Sequence, residues 1–129
     1  MHKILKEGMH SGFKWLILQA PERRFRNGYC MVPPSHPWYK QSHIEANIER
    51  EITFSGELDG IDGWLVGFFT GNYKDLPDPT LELEPKLASL TNVFDAHFYS
   101  RIEGGKVPTE AYVQGICEQL CEEAVKCNG

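Results

Sequence analysis

The stretch Asn27-Gly28-Tyr29-Cys30-Met31-Val32-Pro33-Pro34-Ser35-His36-Pro37-Trp38-Tyr39 decides how the chain is read. Its prolines exclude a helix, and the apolar run ahead of them has the length of a strand. Asn27-Gly28 suits positive φ, so this dipeptide is expected to finish a charged turn at 22–27 and open a strand at 29–32. Pro33 and Pro34 lack amide donors and end its pairing. A stiff loop carrying His36, Trp38 and Tyr39 follows.

Upstream, Phe13-Lys14-Trp15-Leu16-Ile17-Leu18-Gln19-Ala20 is an apolar run of strand length closed by Pro21, the expected hairpin partner of 29–32. Residues 1–12 show no sustained period and read as a flexible end. Downstream, 35–47 reads as loop or a short helical turn. Glu49-Arg50-Glu51-Ile52-Thr53-Phe54-Ser55 then alternates in the manner of a half-buried strand. A connection rich in glycine and aspartate, 56–63, leads to Trp64-Leu65-Val66-Gly67-Phe68-Phe69-Thr70. That run is apolar on both faces and should be a central strand, with Gly67 marking a bulge or a close backbone approach.

Residues 71–85, broken by Pro77, Pro79 and Pro85, read as a long loop, and 86–98 as a short helix through Leu87, Leu90 and Phe94. Beyond Gly104-Gly105, the residues Val113, Ile116, Cys117, Leu120, Cys121 and Ala124 follow one helical face. Glu110, Gln114, Glu118, Glu122 and Lys126 follow the other. Connections too short for crossover helices imply antiparallel pairing. The expected fold class is α+β: a single domain over 13–126, with a mostly antiparallel β-sheet packed by a C-terminal amphipathic helix.

A chain of 129 residues buries roughly two thirds of its unfolded surface without needing staples. Its apolar runs fall short of the roughly 18 residues of a membrane span, and the start of the chain lacks a secretory signal, so a cytoplasmic location is expected. The formal net charge of -5 opposes general nucleic-acid binding. Cys30, Cys117, Cys121 and Cys127 have neither good disulfide geometry nor a second close pair for zinc, and are expected as reduced thiols packed in the core.

Enzyme templates find little footing. His2, His10, His36, His43 and His97 contain no zinc-binding pair, and nucleophile-elbow, phosphate-loop and dinucleotide patterns are missing. Asp59, Asp62, Asp75 and Asp78 lie in turn-rich segments, where aspartate commonly serves the backbone. No catalytic residue, metal ligand or cofactor is assigned. Binding is favoured instead, with a small anionic nucleotide-like ligand as the partner. Arg23, Arg24 and Arg26 offer planar donors to a phosphate, although the trio also suits a solvated turn. Trp38, Tyr39, Trp64, Phe68, Phe69 and Tyr73 offer flat apolar surface, Trp38 and Tyr39 being the candidates for a pocket rim, and Tyr29, His36 and Asn72 are further candidate contacts. Trp15, Phe54, Trp64 and Phe68, at strand spacing, are expected to be mainly core. A homodimer or higher homo-oligomer suits such a binder, because symmetric dimers are the commonest assemblies.

These segments also resemble a group of small bacteriophage-encoded proteins. In that group a strand runs into a segment like G-Y-V-x-V-P-x-x-H-P-L-Y, followed by L-T-Y-S-G and W-W-x-G-F-D-x-x-H. Gly28-Tyr29, Val32-Pro33, His36-Pro37 and Tyr39 match the first segment, Ile52-Thr53-Phe54-Ser55-Gly56 the second in kind, and Trp64 with Gly67-Phe68 the third. The helix from Glu110 through Leu120 is similar to the group's ending, whereas 76–106 has no counterpart. Glu49 stands where the group has a histidine, and Phe69 and Asn72 stand where it has aspartate and histidine, which favours a binder over a catalyst. The resemblance implies work in the cytoplasm of an infected host: a counter-defence protein that sequesters a nucleotide-derived immune signal without cleaving it. The alternatives are an enzyme degrading such a signal or a phosphate ester through His36 and a loop aspartate, and an adaptor pressing the aromatic loop against a host protein.

Overall fold

The structure, a computed structural model, describes residues 3–72, 74–101 and 104–128. Five strands, β1 (Ile4–His10), β2 (Phe13–Gln19), β3 (Arg26–Val32), β4 (Phe54–Leu58) and β5 (Ile61–Phe68), precede two helices, α1 (Pro85–Arg101) and α2 (Glu110–Asn128). The strands form one antiparallel sheet in the order β1-β2-β3-β5-β4. Only between β3 and β5 does the chain leave the sheet between neighbours, through the proline-aromatic loop and then β4. The expected α+β architecture holds, with α2 lying across β2 and β3 and reaching β1.

Strand parity sorts the core. Trp15 and Ile17 of β2, Cys30 and Val32 of β3, and Val66 and Phe68 of β5 share the face that meets Val113, Ile116, Cys117, Leu120, Cys121 and Ala124 of α2. All six of those helix residues are buried, as their periodicity predicts. Leu16, Leu18, Tyr29 and Leu65 point the other way and are covered by Met31, Phe54, Leu58 and Ile61 from the sheet itself. Burial pushes the Tyr29 phenol up to about 12, against a smaller opposing hydrogen bond from Asn27.

Four expectations about the elements change. Residues 4–10, read as part of a flexible end, form the edge strand β1, which hairpins onto β2 through Ser11 and Gly12, both at positive φ as a two-residue turn requires. Asn27-Gly28 is not a turn but lies inside β3; the reversal is made at 20–25, where the Ala20 amide donates to the Phe25 carbonyl at 2.9 Å and Glu22 takes φ +60. The strand read at 49–55 is displaced to β4, and the connection read at 56–63 is a strand pair turning at Asp59-Gly60. Finally, α1 runs over 85–101 and is anchored mainly by side chains: Arg24 to Asp95 at 2.9 Å, and the Tyr99 hydroxyl donating to the Pro77 carbonyl. No helix among the described residues is long and apolar enough to cross a membrane.

Candidate ligand-binding site

Pro33 and Pro34 turn the chain away from β3, and the loop closes on itself through the His36 amide to the Pro33 carbonyl and the Tyr39 amide to the His36 carbonyl, both at 3.0 Å. His36 is buried against Phe13 and Trp38, with ring centroids at 5.5 and 5.0 Å. Its Nε2 lies 2.8 Å from the Ala124 carbonyl near the end of α2, and its Nδ1 accepts the Trp38 amide at 3.0 Å. A carbonyl accepts only, so Nε2 is the donor and Nδ1 the acceptor. Both ring nitrogens are committed to holding the loop on α2. His36 therefore offers neither a ligand contact nor the acid–base group that the enzyme reading required.

The same loop drives Trp38 into the core, where 5% of its surface is exposed. Tyr39, the next residue, turns the opposite way and remains half-buried against Trp64, centroids 5.6 Å apart and planes at 58°. Trp64 is held in place: its Nε1 donates to the Ser55 hydroxyl at 3.0 Å, and that hydroxyl donates to the Gln41 carbonyl at 2.6 Å. Tyr39 and Trp64 line an open cavity of about 510 Å³ with Lys14, Met31, Pro33, Pro34, Glu57 and Asp62. Lys14 reaches Glu7 at 3.3 Å across the β1–β2 hairpin, and the Lys40 ammonium lies 5.6 Å from the Tyr39 ring centre. A cavity of this size, with flat apolar walls and a few charged groups, suits a small organic ligand.

The arginines are elsewhere. Arg26 begins β3 and the proline loop follows its end, a separation of roughly 20 Å at strand rise. Arg26 is buried, giving Nη1 to Asp78 at 2.6 Å and to the Pro108 carbonyl at 3.3 Å, while its Nε has no hydrogen-bond partner among the described residues. Arg24 holds Asp95 and the Leu81 carbonyl, and Arg23 lies 4.6 Å from the centre of the Phe25 ring. The expected receptacle of aromatic loop plus guanidinium groups is not assembled. Of its residues, Tyr39 lines the cavity. Tyr29, His36 and Trp38 are interior, and Arg23, Arg24, Arg26 and Asn72 are distant or engaged in fold contacts. Tyr73 lies outside the described residues.

A second opening, of about 330 Å³, sits where the 71–76 loop meets the start of α2. Arg50 grips Asp75 with both terminal nitrogens at 2.7 Å and donates from Nε to the Tyr112 hydroxyl at 3.0 Å. Asp75 also accepts the Gly71 and Asn72 amides at 3.0 Å. Burial alone would raise its carboxyl, but the Arg50 guanidinium and the amides hold it below the usual carboxylate value. Lys74 and Lys106 complete the rim. This cluster is a clasp between loop and helix.

Sequence reasoning missed Lys14, Glu57 and Asp62 as cavity residues and set Trp64 aside as mainly core. One signal was present: Lys14 is the single charge in the run 13–20 and marks where that strand meets solvent. Cys30, Cys117 and Cys121 are buried as free thiols, while Cys127 is exposed, unlike the expected core placement. A hydrogen bond with the Cys121 thiol, burial and the neighbouring sulfurs push the Cys30 thiol far upward, and burial carries Cys117 up to about 12. Neither is a ready nucleophile. Among the described residues no three His, Cys, Asp or Glu side chains converge as metal ligands would. No family model, no curated protein and no solved structure matches the chain.

Proposed function

We propose that the protein holds a small, planar, nucleotide-like molecule in the Tyr39–Trp64 cavity and releases it unchanged, serving in an infected bacterial cell to sequester a nucleotide-derived immune signal. The observation that carries this reading is the Tyr39 ring packed against the hydrogen-bonded Trp64 beside an open volume of about 510 Å³. The rings supply flat surface for a heterocycle, Glu57 and Asp62 accept hydrogen bonds from its N–H edge, and Lys14 supplies a cation for a phosphate. The commitment of both His36 nitrogens and the high thiol pKa values favour holding over chemistry. The phage setting comes from the resemblance in the loop and strand segments.

The experiment is a thermal-shift screen against adenine and guanine nucleotides, linear and cyclic, followed by heat release and chromatography of the ligand. A raised melting temperature with intact ligand recovered supports the proposal. Tyr39→Ala should abolish the shift, while Arg24→Ala should keep it. Altered products would replace the binder with an enzyme, and no shift with any nucleotide would end the proposal.

A further inference from the structure

One side of α1 holds the body of the protein through Asp95 and Tyr99, and the other presents Leu90, Val93 and Phe94 at 64%, 67% and 59% exposure. No charge interrupts the apolar positions 87, 90, 93 and 94, which lie on one side of the helix by their spacing. Between Leu87, Leu90 and Phe94 on one wall and Pro21, Glu22 and Arg23 on the other runs an open groove of about 440 Å³. The surface thus offers an apolar groove wall with Val93 exposed beside it.

We propose that this face binds a second copy of the chain, the two α1 helices lying antiparallel about a two-fold axis near residue 92. Charge complementarity chooses this occupant. The exposed Glu82 and Glu84 lie in the chain just ahead of the helix start at Pro85, and Arg101, the basic residue of the last turn, is exposed at its other end. Antiparallel pairing sets Arg101 of each copy against Glu84 of the other, and the register that does so also places Leu90 over Phe94. Both pairs are centred on the same turn, and the helix dipoles oppose. The contact is confined to one helix of 17 residues, below the size of a standard stable interface, so association should be concentration-dependent.

Sedimentation or light scattering across roughly 1–500 μM, the range in which small interfaces dissociate, should show the mass rising from one chain to two. Leu90→Glu should hold the mass at one chain with an unchanged circular dichroism spectrum. Glu84→Arg and Arg101→Glu should each weaken the dimer at least tenfold, and the double variant should restore it, because each new arginine meets a new glutamate. A monomer throughout, a dimer indifferent to Leu90→Glu, or a double variant no better than either single one would overturn the proposal. The last result, alongside capture of a different protein by the wild-type face, would assign the surface to a heterologous partner. The cavity at Tyr39 lies outside this face, so nucleotide-induced thermal shifts report on it independently.

Discussion

At Gly67 a Cβ would lie 2.3 Å from Cδ1 of Tyr29 and 2.4 Å from the Gly28 carbonyl oxygen, and the second contact is backbone that no rotamer change can move. Gly67→Ala should therefore lower the urea midpoint by an amount equivalent to about 1–3 kcal/mol or more, the cost of overpacking. Gly115→Ala is the opposite case: open space surrounds that position inside α2, and the change should stabilise by about 0.5–1 kcal/mol through helix propensity. At Asp75 the folded carboxyl titrates below its unfolded value, so its contribution is complete above about pH 4 and lost as pH falls through the lower folded pKa. Unfolding free energy should fall with pH in that acid window, and Asp75→Asn should start lower and show a flatter limb there. The close approach at Gly67 was legible from a glycine inside an apolar strand. The Arg50–Asp75 and Arg26–Asp78 pairs were not, because they join residues 25 and 52 positions apart and leave no periodic trace.

Among the elements, those with a strong local apolar pattern were read most nearly as they are. α2, read from its helical period, and β2 and the 64–68 part of β5, read as apolar runs, bury most of the side chains those patterns indicate, whereas Phe69, read into the same strand, lies beyond its end and is 38% exposed. β1 was missed because its burial is partial: its edge position leaves Met9 exposed, whereas Gly8 passes so close to the Trp15 ring that a Cβ would meet it at 2.6 Å. Truncation through His10 should therefore uncover Trp15 and the edge of β2. The expected result is a lower melting temperature and concentration-dependent aggregation, measured by calorimetry and light scattering; a merely flexible end would be lost without either effect. β4 was placed too early because Ile52 packs on the core from irregular chain just ahead of the strand. Apolar spacing reports which residues face inward, not whether their backbone pairs.

Across the molecule, β3 acts as a spacer that keeps the arginine cluster and the proline-aromatic loop at its two ends. A binding site assembled from both was a reasonable expectation for residues so close in sequence, yet an extended strand carries neighbours apart about 3.3 Å at each step. The cavity and the α1 face should respond separately. Tyr39→Ala should remove the nucleotide-induced rise in melting temperature while leaving the dimer mass, and Leu90→Glu should do the reverse. The sequence by itself determined the α+β class, the first core hairpin, the central strand and the amphipathic C-terminal helix, since each is written in local periodicity and in where proline stops pairing. Only the tertiary structure decided that Trp38 turns inward while Tyr39 lines a cavity, which carboxylate each arginine holds, and which face of α1 stays uncovered. Those outcomes depend on how distant segments meet, and no local pattern encodes a partner tens of residues away.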